Sequence, residues 1–189
     1  MLAGDMDGIL AIQAGAYPGF LLESADFFLN RLTLAPAHCW VAQADAVPDS
    51  GQLLGYLVSY PWDAGLPPTL DAPLAALPER PDHWFLHDCA VAPSAQGLGV
   101  GQALLRTAAG HAAQTGLQRA SLVSLGSAVG YWTRHGYAPV AAGGRELADK
   151  LEGYGPQASY MARAFPLRPA RHAPAPARCR THAAPPASR

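Results

Sequence analysis

Several features that would mark a membrane, metal or redox protein are missing from this chain of 189 residues. No apolar run approaches the ~18 residues that cross a bilayer, and the first residues are acidic, unlike the basic start of a signal peptide. The three cysteines, Cys39, Cys89 and Cys179, have neither the spacing of a metal site nor that of a redox motif. The sequence therefore predicts a cytoplasmic, metal-free protein with reduced cysteines.

Acidic residues are missing from the C-terminal part of the chain. Residues 166–189 hold five of the 13 basic residues and no acid, so residues 1–165 carry eight basic residues against 14 acidic ones. An acidic globular part favours cationic ligands and disfavours nucleic acid. The tail is rich in proline, alanine and arginine and cannot bury enough apolar surface to fold. We expect one domain over residues 1–165 and a disordered tail over residues 166–189.

Two common nucleotide-binding motifs are also missing from the glycine-rich segment. No Gly-Lys-Ser/Thr follows its glycines, which excludes a P-loop. Gly97, Gly99 and Gly101 are spaced Gly-x-Gly-x-Gly, and the next predicted strand has no acidic residue, so a dinucleotide fingerprint is not met. The segment instead combines an apolar strand, a glycine-rich turn and an amphipathic helix. The unpaired amides of such a turn form a site for a phosphate or pyrophosphate.

The remaining pattern alternates strands and helices, which predicts an α/β domain. Helices are predicted from the Asp5/Asp7 cap to about Gly15, over 23–34, after Gly99 and over 127–135. Strands are predicted over 38–43, 52–60, 83–92, 119–125, 137–141 and 158–165. The proline-rich connection 61–82 shows no periodicity and is long enough to be functional.

The glycine-rich segment resembles the acetyl-CoA motif of the GCN5-related N-acetyltransferase (GNAT) superfamily, Gln/Arg-x-x-Gly-x-Gly/Ala, which Gln96, Gly99 and Gly101 match. The run from Ser127 to Tyr137 is similar to a later family helix that ends in an aromatic-Tyr-x-x-x-Gly-Phe pattern. Within the superfamily, Leu-His-Asp-Cys-Ala-Val at 86–91 resembles a strand of the arylalkylamine N-acetyltransferases, and the resemblance covers residues 5–165.

The resemblance implies a GNAT fold, with a mixed, mostly antiparallel sheet flanked by helices and splayed at the acetyl-CoA cleft. Family members begin with a strand, whereas this chain begins almost at a helix, so the first strand is expected to be missing or to lie upstream. By position, the backbone of Cys89, Ala90 and Val91 would hold the pantetheine, and an amide near Ala90 or Val91 would polarise the thioester carbonyl. The pyrophosphate would bind the loop residues Gln96, Gly97, Leu98, Gly99, Val100, Gly101 and Gln102.

The resemblance also makes His87 the candidate base, since imidazole titrates near neutral pH; the alternative is a core histidine. Strand alternation places Asp88 on the opposite face as a structural hydrogen-bonding group, and His83 is expected to be solvated.

The tyrosine that protonates the leaving thiolate in the family corresponds to Trp132, and the side chain of the adjacent Tyr131 is rotated from it by roughly 100° around the helix. We expect Trp132 to pack beside the pantetheine and catalysis to proceed without a dedicated acid. The alternatives are that Tyr131 is repositioned as the acid, or that the site is catalytically silent.

Aromatic and acidic residues near the predicted loops could form an amine pocket by cation–π and ionic contacts. The candidates are Tyr17, Phe20, Trp62 and Trp84, with Glu23 and Asp63 as partners for an ammonium group. The sequence thus predicts direct transfer of an acetyl group from acetyl-CoA to a primary amine of a small molecule. The alternatives are a protein N-terminal acetyltransferase of the ribosomal-protein type and a silent acetyl-CoA-binding module. The oligomeric state is left open, a homodimer included.

Overall fold

The computed structural model describes residues 1–44, 52–140 and 144–165, and the predicted tail at 166–189 lies outside these ranges. The helices are α1 (Met6–Ala16), α2 (Ala25–Leu34), α3 (Val100–Ala112), α4 (Val129–Arg134) and α5 (Gly144–Glu152). The strands are β1 (Cys39–Gln43), β2 (Leu53–Trp62), β3 (His83–Val91), β4 (Arg119–Ser124), β5 (Ala138–Pro139) and β6 (Ser159–Ala164).

The six strands form one mixed sheet in the order β1-β2-β3-β4-β6-β5, as the α/β prediction requires. Among the strands in the described ranges, only β3 and β4 pair in parallel, and their pairing stops at Leu86 and Leu122. Because β3 continues to Val91, its last five residues have no partner on the β4 side. The sheet is therefore splayed between β3 and β4, which confirms the predicted fold. In residues 1–44, a short helical turn at Ala3–Asp5 precedes α1, and no strand does.

Two apolar layers cover the two faces of the sheet. On one face, α1 and α2 bury Ile9, Phe27 and Phe28 against side chains of β2 and β3. On the other face, α3 packs Leu104 and Ala108 against β2, β3 and β4. The splay between β3 and β4 therefore connects the α1/α2 face of the sheet with the α3/α4 face.

The predicted cap of α1 differs from the observed one. Asp5 stands at the N-cap position, but its carboxylate accepts the N–H of Leu2 at 2.6 Å and no helix amide. The N-cap of α2 follows the usual chemistry, because the hydroxyl of Ser24 accepts the N–H of Phe27 at 3.3 Å. The sequence thus located the N-cap position of α1 at Asp5, whereas Ser24 was not identified as a cap and α2, predicted from residue 23, begins at Ala25.

Helix α5 was not predicted from the sequence, and the prediction that His83 is exposed to solvent was wrong. Leu147 and Leu151 of α5 are four residues apart and face the core, which is a helical signal in the sequence. His83 is only 4% exposed, not solvated, because it begins β3 inside the sheet, where its Nδ1 lies 2.6 Å from Asp82 Oδ1.

Within the described ranges, none of the helices has the length and apolar character needed to cross a membrane.

Candidate active site

The glycine-rich loop ends in the first turn of α3. Gly97 and Gly99 have φ angles of +78° and +79°, which side chains other than glycine rarely adopt. The amide of Ala103 donates to Gly99 O at 3.0 Å and is the first to bond in the helical pattern. The amides of Val100, Gly101 and Gln102 precede it and have no partner inside the helix. These amides lie at the turn where the sequence predicts a phosphate or pyrophosphate site.

A cavity of about 330 Å³ runs from this helix into the splay of the sheet. On the α3/α4 side its walls include Cys89 and Val91 of β3, together with Gly101 and Leu105 of α3. A Cβ on Gly101 would lie 3.4 Å from Val91 Cγ2, so glycine keeps this entrance open. The remaining lining residues on this side are Leu86, Leu122, Val123, Leu125, Ala128, Tyr131 and Trp132.

The open edge of β3 presents backbone groups to the cavity. Ala92 donates its N–H to Leu54 O at 2.9 Å, so Ala92 faces β2. Backbone directions alternate along a strand, so Ala90 also faces β2, while the N–H and C=O groups of Cys89 and Val91 face the splay. Of the two amides predicted to polarise a thioester, only that of Val91 is therefore directed into the cleft.

A β-bulge sets the directions of His87 and Asp88. On β2, the adjacent residues Val58 and Ser59 pair with Asp88 and Leu86, so His87 is the extra residue. The bulge turns the side chains of His87 and Asp88 to the same face of the sheet, toward α1 and α2. The predicted alternation of these two residues is therefore wrong, because regular alternation fails at a bulge.

The ring of His87 is enclosed by other side chains. Its Nε2 lies 2.8 Å and 3.0 Å from the two carboxylate oxygens of Glu23, and its Nδ1 lies 2.7 Å from the hydroxyl of Tyr60. The ring also packs on Phe27, with centroids 4.7 Å apart. The side chain of His87 is 2% exposed, so both ring nitrogens are occupied by protein partners.

Two separate segments hold Glu23 beside His87. Gln13 of α1 accepts the backbone N–H of Glu23 at 2.8 Å and donates to its backbone O at 2.9 Å. Asp71 donates its backbone N–H to Glu23 Oε1 at 3.1 Å. Sequence reasoning did not identify Gln13, Asp71 or Tyr60; the signal for Gln13 is a single amide next to Ile12 in the apolar stripe of α1.

Asp88 forms a second buried carboxylate in the same cavity. Its Oδ1 accepts the hydroxyl of Tyr17 at 2.6 Å, and its Oδ2 accepts the hydroxyl of Tyr56. Burial raises the pKa of Asp88, although the two tyrosine hydrogen bonds oppose the shift. The Tyr17 hydroxyl also lies 3.4 Å from Cys89 O, which places this pair beside the open edge of β3.

Tyr131 and Trp132 both line the cavity despite being adjacent on α4. Their ring centroids are 5.0 Å apart with nearly perpendicular planes, so both side chains reach the same space. Burial raises the pKa of the Tyr131 hydroxyl, and the nearby Cys89 adds to the shift. The structure thus brings the hydroxyl-bearing side chain of Tyr131 into the cavity near Cys89.

The predicted acceptor residues are only partly brought together. Tyr17 and Glu23 line the cavity, whereas Phe20 is 60% exposed. The indole of Trp62 donates to Leu66 O at 3.0 Å, and Trp84 is buried on the α3/α4 face. These two residues and Asp63, which accepts the Gly65 N–H at 2.9 Å, are not among the lining residues. The predictions for Phe20, Trp62, Trp84 and Asp63 were therefore wrong, because none of these side chains lines the cavity.

The connection between β2 and β3, residues 63–82, forms a strap across the end of the cavity lined by Tyr17, Glu23 and Asp88, which is the predicted acceptor end. Leu70 of the strap lines the cavity opposite Tyr154, whose hydroxyl donates to Pro68 O at 3.3 Å. Lys150 of α5 donates to the Thr69 hydroxyl at 3.1 Å. The strap is thus tied to α5 and to the loop that follows it, so the acceptor end is walled on this side.

The strap is also tied to α2. The side chain of Asp71 accepts both the N–H and the hydroxyl of Ser24, at 2.8 Å and 2.7 Å. Asn30 exchanges two hydrogen bonds with the backbone of Leu74, and Arg31 donates to Ala72 O at 2.8 Å.

In the described part of the chain, no group of three or more His, Cys, Asp or Glu side chains is placed to hold a metal ion.

Comparisons with known proteins agree with this architecture. A family model described as "Acetyltransferase (GNAT) family" matches residues 7–137. The solved structure of a GNAT-like decarboxylase, GphF, with isobutyryl-CoA is 18% identical with a TM-score of 0.65 and covers 87% of this chain and 96% of its own. The PaiA N-acetyltransferase of Thermoplasma acidophilum with coenzyme A is 12% identical with a TM-score of 0.57, covering 87% and 96%.

A third solved structure, Naa20 of Chaetomium thermophilum with a bisubstrate analogue, is 17% identical with a TM-score of 0.56, covering 87% of this chain and 84% of its own. At these identities the solved structures show a shared fold. No curated protein matches the sequence closely enough to count as a relative.

Proposed function

Because this chain belongs to the acetyltransferase (GNAT) family, we propose that it transfers the acetyl group of acetyl-CoA to the primary amine of a small molecule. Family membership makes the chain an acyl-CoA-dependent transferase with acetyl-CoA as the co-substrate. The acceptor and the individual residue roles are the parts that we propose. They are supported by the two ends of the cavity, which differ in chemistry.

The cofactor end supports binding of acetyl-CoA from the α3/α4 face. The amides of Val100, Gly101 and Gln102 that lack a partner inside the helix suit the pyrophosphate, and the backbone groups of Cys89 and Val91 that face the splay suit the pantetheine. An acetyl group entering the splay would place its carbonyl near the Val91 amide. A preorganised donor at that position stabilises the oxyanion that forms during attack.

The acceptor end carries the proposal, because two buried carboxylates, Glu23 and Asp88, line it from the α1/α2 face. Buried carboxylates favour a cationic ligand, such as the ammonium form of an amine. The nearby walls formed by Leu21, Leu70 and Tyr154 are apolar or aromatic. This combination fits an amine with an apolar body, in line with the resemblance to arylalkylamine N-acetyltransferases.

The strap supports a small acceptor over a peptide. The sequence leaves a peptide N-terminus open as the alternative acceptor. Here the contacts from Tyr154 to Pro68 and from Lys150 to Thr69 close one side of the acceptor end. A peptide needs an open path for the chain that continues from its N-terminal residue, and this bridge narrows the space for such a path.

The same carboxylates argue against a second activity. GphF is a decarboxylase with the same fold, and decarboxylation of an acyl-CoA would bring a substrate carboxylate into the cavity. That carboxylate would lie beside Glu23 and Asp88, and like charges at short range are unfavourable. We therefore retain amine acetylation as the proposed reaction.

In the proposed mechanism, the neutral amine attacks the thioester carbonyl directly, the C–S bond breaks, and the CoA thiolate is protonated. Burial raises the pKa of the Cys89 thiol to about 12, aided by Asp88, which disfavours an acetyl-cysteine intermediate. Tyr131 is the nearest candidate to protonate the thiolate. If Trp132 packs against the pantetheine and no acid is required, the Tyr131→Phe variant keeps its turnover. If Tyr131→Phe abolishes turnover while Trp132→Phe does not, Tyr131 is the acid.

The proposed function is tested by thiol release from acetyl-CoA in the presence of arylalkylamines, polyamines and short peptides. We expect release with small amines that carry an apolar group. Release with peptides alone would contradict the small-molecule proposal. Thermal stabilisation by acetyl-CoA without release from any acceptor would favour the silent module, and neither stabilisation nor release would overturn the assignment of the cofactor loop.

A further inference from the structure

We infer that Glu23, rather than His87, is the base that takes the proton of the acceptor ammonium, and that His87, Tyr60 and Asp71 position it. The inference depends on the proposed amine acetylation and names the group that performs one step of it.

His87 has no free nitrogen for a substrate. Nε2 is within hydrogen-bond distance of Glu23, and Nδ1 is within hydrogen-bond distance of the Tyr60 hydroxyl. A neutral ring satisfies both contacts when Nε2 donates to Glu23 and Nδ1 accepts from Tyr60. With its side chain only 2% exposed, His87 reaches a ligand through Glu23.

Glu23 retains an acceptor site that faces the cavity. Its Oε1 accepts from His87 and from the Asp71 N–H, whereas Oε2 accepts from His87 alone among the described residues. A carboxylate oxygen has two acceptor positions, so Oε2 keeps one for a ligand. Glu23 lines the same cavity as Cys89 and Val91, where the thioester is expected.

The backbone around Glu23 is arranged to hold this carboxylate in place. Gln13, which is 2% exposed, bonds both the N–H and the C=O of Glu23. Asp71 has a φ of +52°, a strained conformation for a residue with a side chain. That conformation accompanies the donation of the Asp71 N–H to Oε1 and the contacts of its carboxylate to Ser24. Segments far apart in sequence thus converge on one side chain, as preorganised catalytic groups require.

The residues behind Glu23 suit a group that gains and loses a proton. His87 donates to Glu23 and is backed by Tyr60, whose ring lies 5.3 Å from the guanidinium carbon of Arg31. A hydrogen-bonded imidazole orients the carboxylate and shares its charge, as in other carboxylate–histidine pairs. This arrangement places Tyr60 and His87 in line behind the carboxylate.

The proton balance is complete with the reactants named. Glu23 takes one proton from the ammonium, and the amine nitrogen attacks the acetyl carbon. As the C–S bond breaks, the second nitrogen proton passes to the thiolate, directly or through Tyr131, which gives the amide and CoA-SH. Glu23 then releases its proton to solvent.

The test compares Glu23→Gln, Glu23→Ala and His87→Gln in the thiol-release assay, with the exposed strap variant Glu79→Gln as the matched control. We expect Glu23→Gln to lower kcat by about 10²–10⁴-fold, a usual range for loss of a general base, with thermal stabilisation by acetyl-CoA retained. Glu23→Ala should recover part of its activity with added formate or acetate, because the small acid replaces the missing carboxylate. His87→Gln should lose less than Glu23→Gln.

Turnover of Glu23→Gln close to that of Glu79→Gln would overturn the inference, as would a larger loss in His87→Gln. Loss in Glu23→Gln without rescue of Glu23→Ala assigns Glu23 a structural role and also overturns it. An absence of turnover in the unmodified protein with every amine contradicts the proposed function itself and removes the inference with it. These results are distinguishable because acetyl-CoA stabilisation is measured for every variant.

Discussion

Gly55→Ala tests whether the cofactor edge of β3 depends on a close approach between β2, β3 and α3. A Cβ on Gly55 would lie 2.8 Å from Ala90 O, 3.2 Å from Val100 Cγ1 and 3.3 Å from Leu104 Cδ1. The first contact is with backbone that cannot rotate away, so β3 must move at Ala90. Overpacking of this kind costs about 1–3 kcal/mol, which lowers Tm by about 2–4 °C for each kcal/mol in a domain of this size.

The displacement also has a functional consequence. Cys89 and Val91 flank Ala90, and their backbone groups face the cleft, so we expect the KM for acetyl-CoA to rise more than the KM for the amine. Gly110→Ala is the matched control, because a Cβ there meets nothing within 4 Å and lies in α3. Replacing this helical glycine should raise stability by about 0.5–1 kcal/mol. Thermal denaturation with and without acetyl-CoA measures both effects, and a Gly55→Ala protein as stable as Gly110→Ala would refute the reasoning.

Three further predictions concern single side chains. Cys89→Ala should keep its turnover, because the backbone and not the thiol is proposed to contact the cofactor; loss of thiol release in steady-state kinetics would contradict this. Asp88→Asn replaces one carboxylate oxygen by an NH2 group that cannot accept, so one of the hydroxyls of Tyr17 and Tyr56 loses its acceptor. Urea unfolding should therefore show a loss of about 1–3 kcal/mol, together with a higher KM for the amine; unchanged unfolding would contradict it. Burial holds the pKa of His38 at about 4, below its ordinary value of 6.5. Between these two pH values the unfolded chain binds more protons than the folded one, so the free energy of unfolding should fall as the pH drops from 6.5 to about 4. In Tm measured against pH, His38→Asn should reduce that fall, and an identical profile would contradict the prediction.

The conformation of the proposed cofactor loop was predictable because its residues are contiguous. Gln96 to Gln102 specify a turn through glycines that adopt positive φ and a helix that begins immediately afterwards. These are local backbone properties, and neighbouring residues encode them. The order of most helices and strands followed for the same reason, since hydrophobic periodicity reports which face of each element is buried. Helix α5 was missed although Leu147 and Leu151 carried that signal.

The acceptor half was not predictable in the same way. Its direction depends on a bulge at His87, which exists only when β3 pairs with β2 in one register. The prediction placed Asp88 on the face opposite His87, because it assumed regular alternation along the strand. Glu23 was noted as an acid near a loop, but its contacts with Gln13 and Asp71 come from segments 10 and 48 residues away in the chain.

The sequence by itself thus determined the family, the fold and the backbone conformation of the glycine-rich loop, because each depends on patterns among residues that are close together in the chain. The tertiary structure decided the orientation of His87 and Asp88, the clamp on Glu23 and the closure of the strap by Tyr154. These features depend on strand register and on packing between distant segments. The physical reason is that a short segment specifies its own backbone conformation, whereas the contacts of its side chains are specified by the rest of the fold.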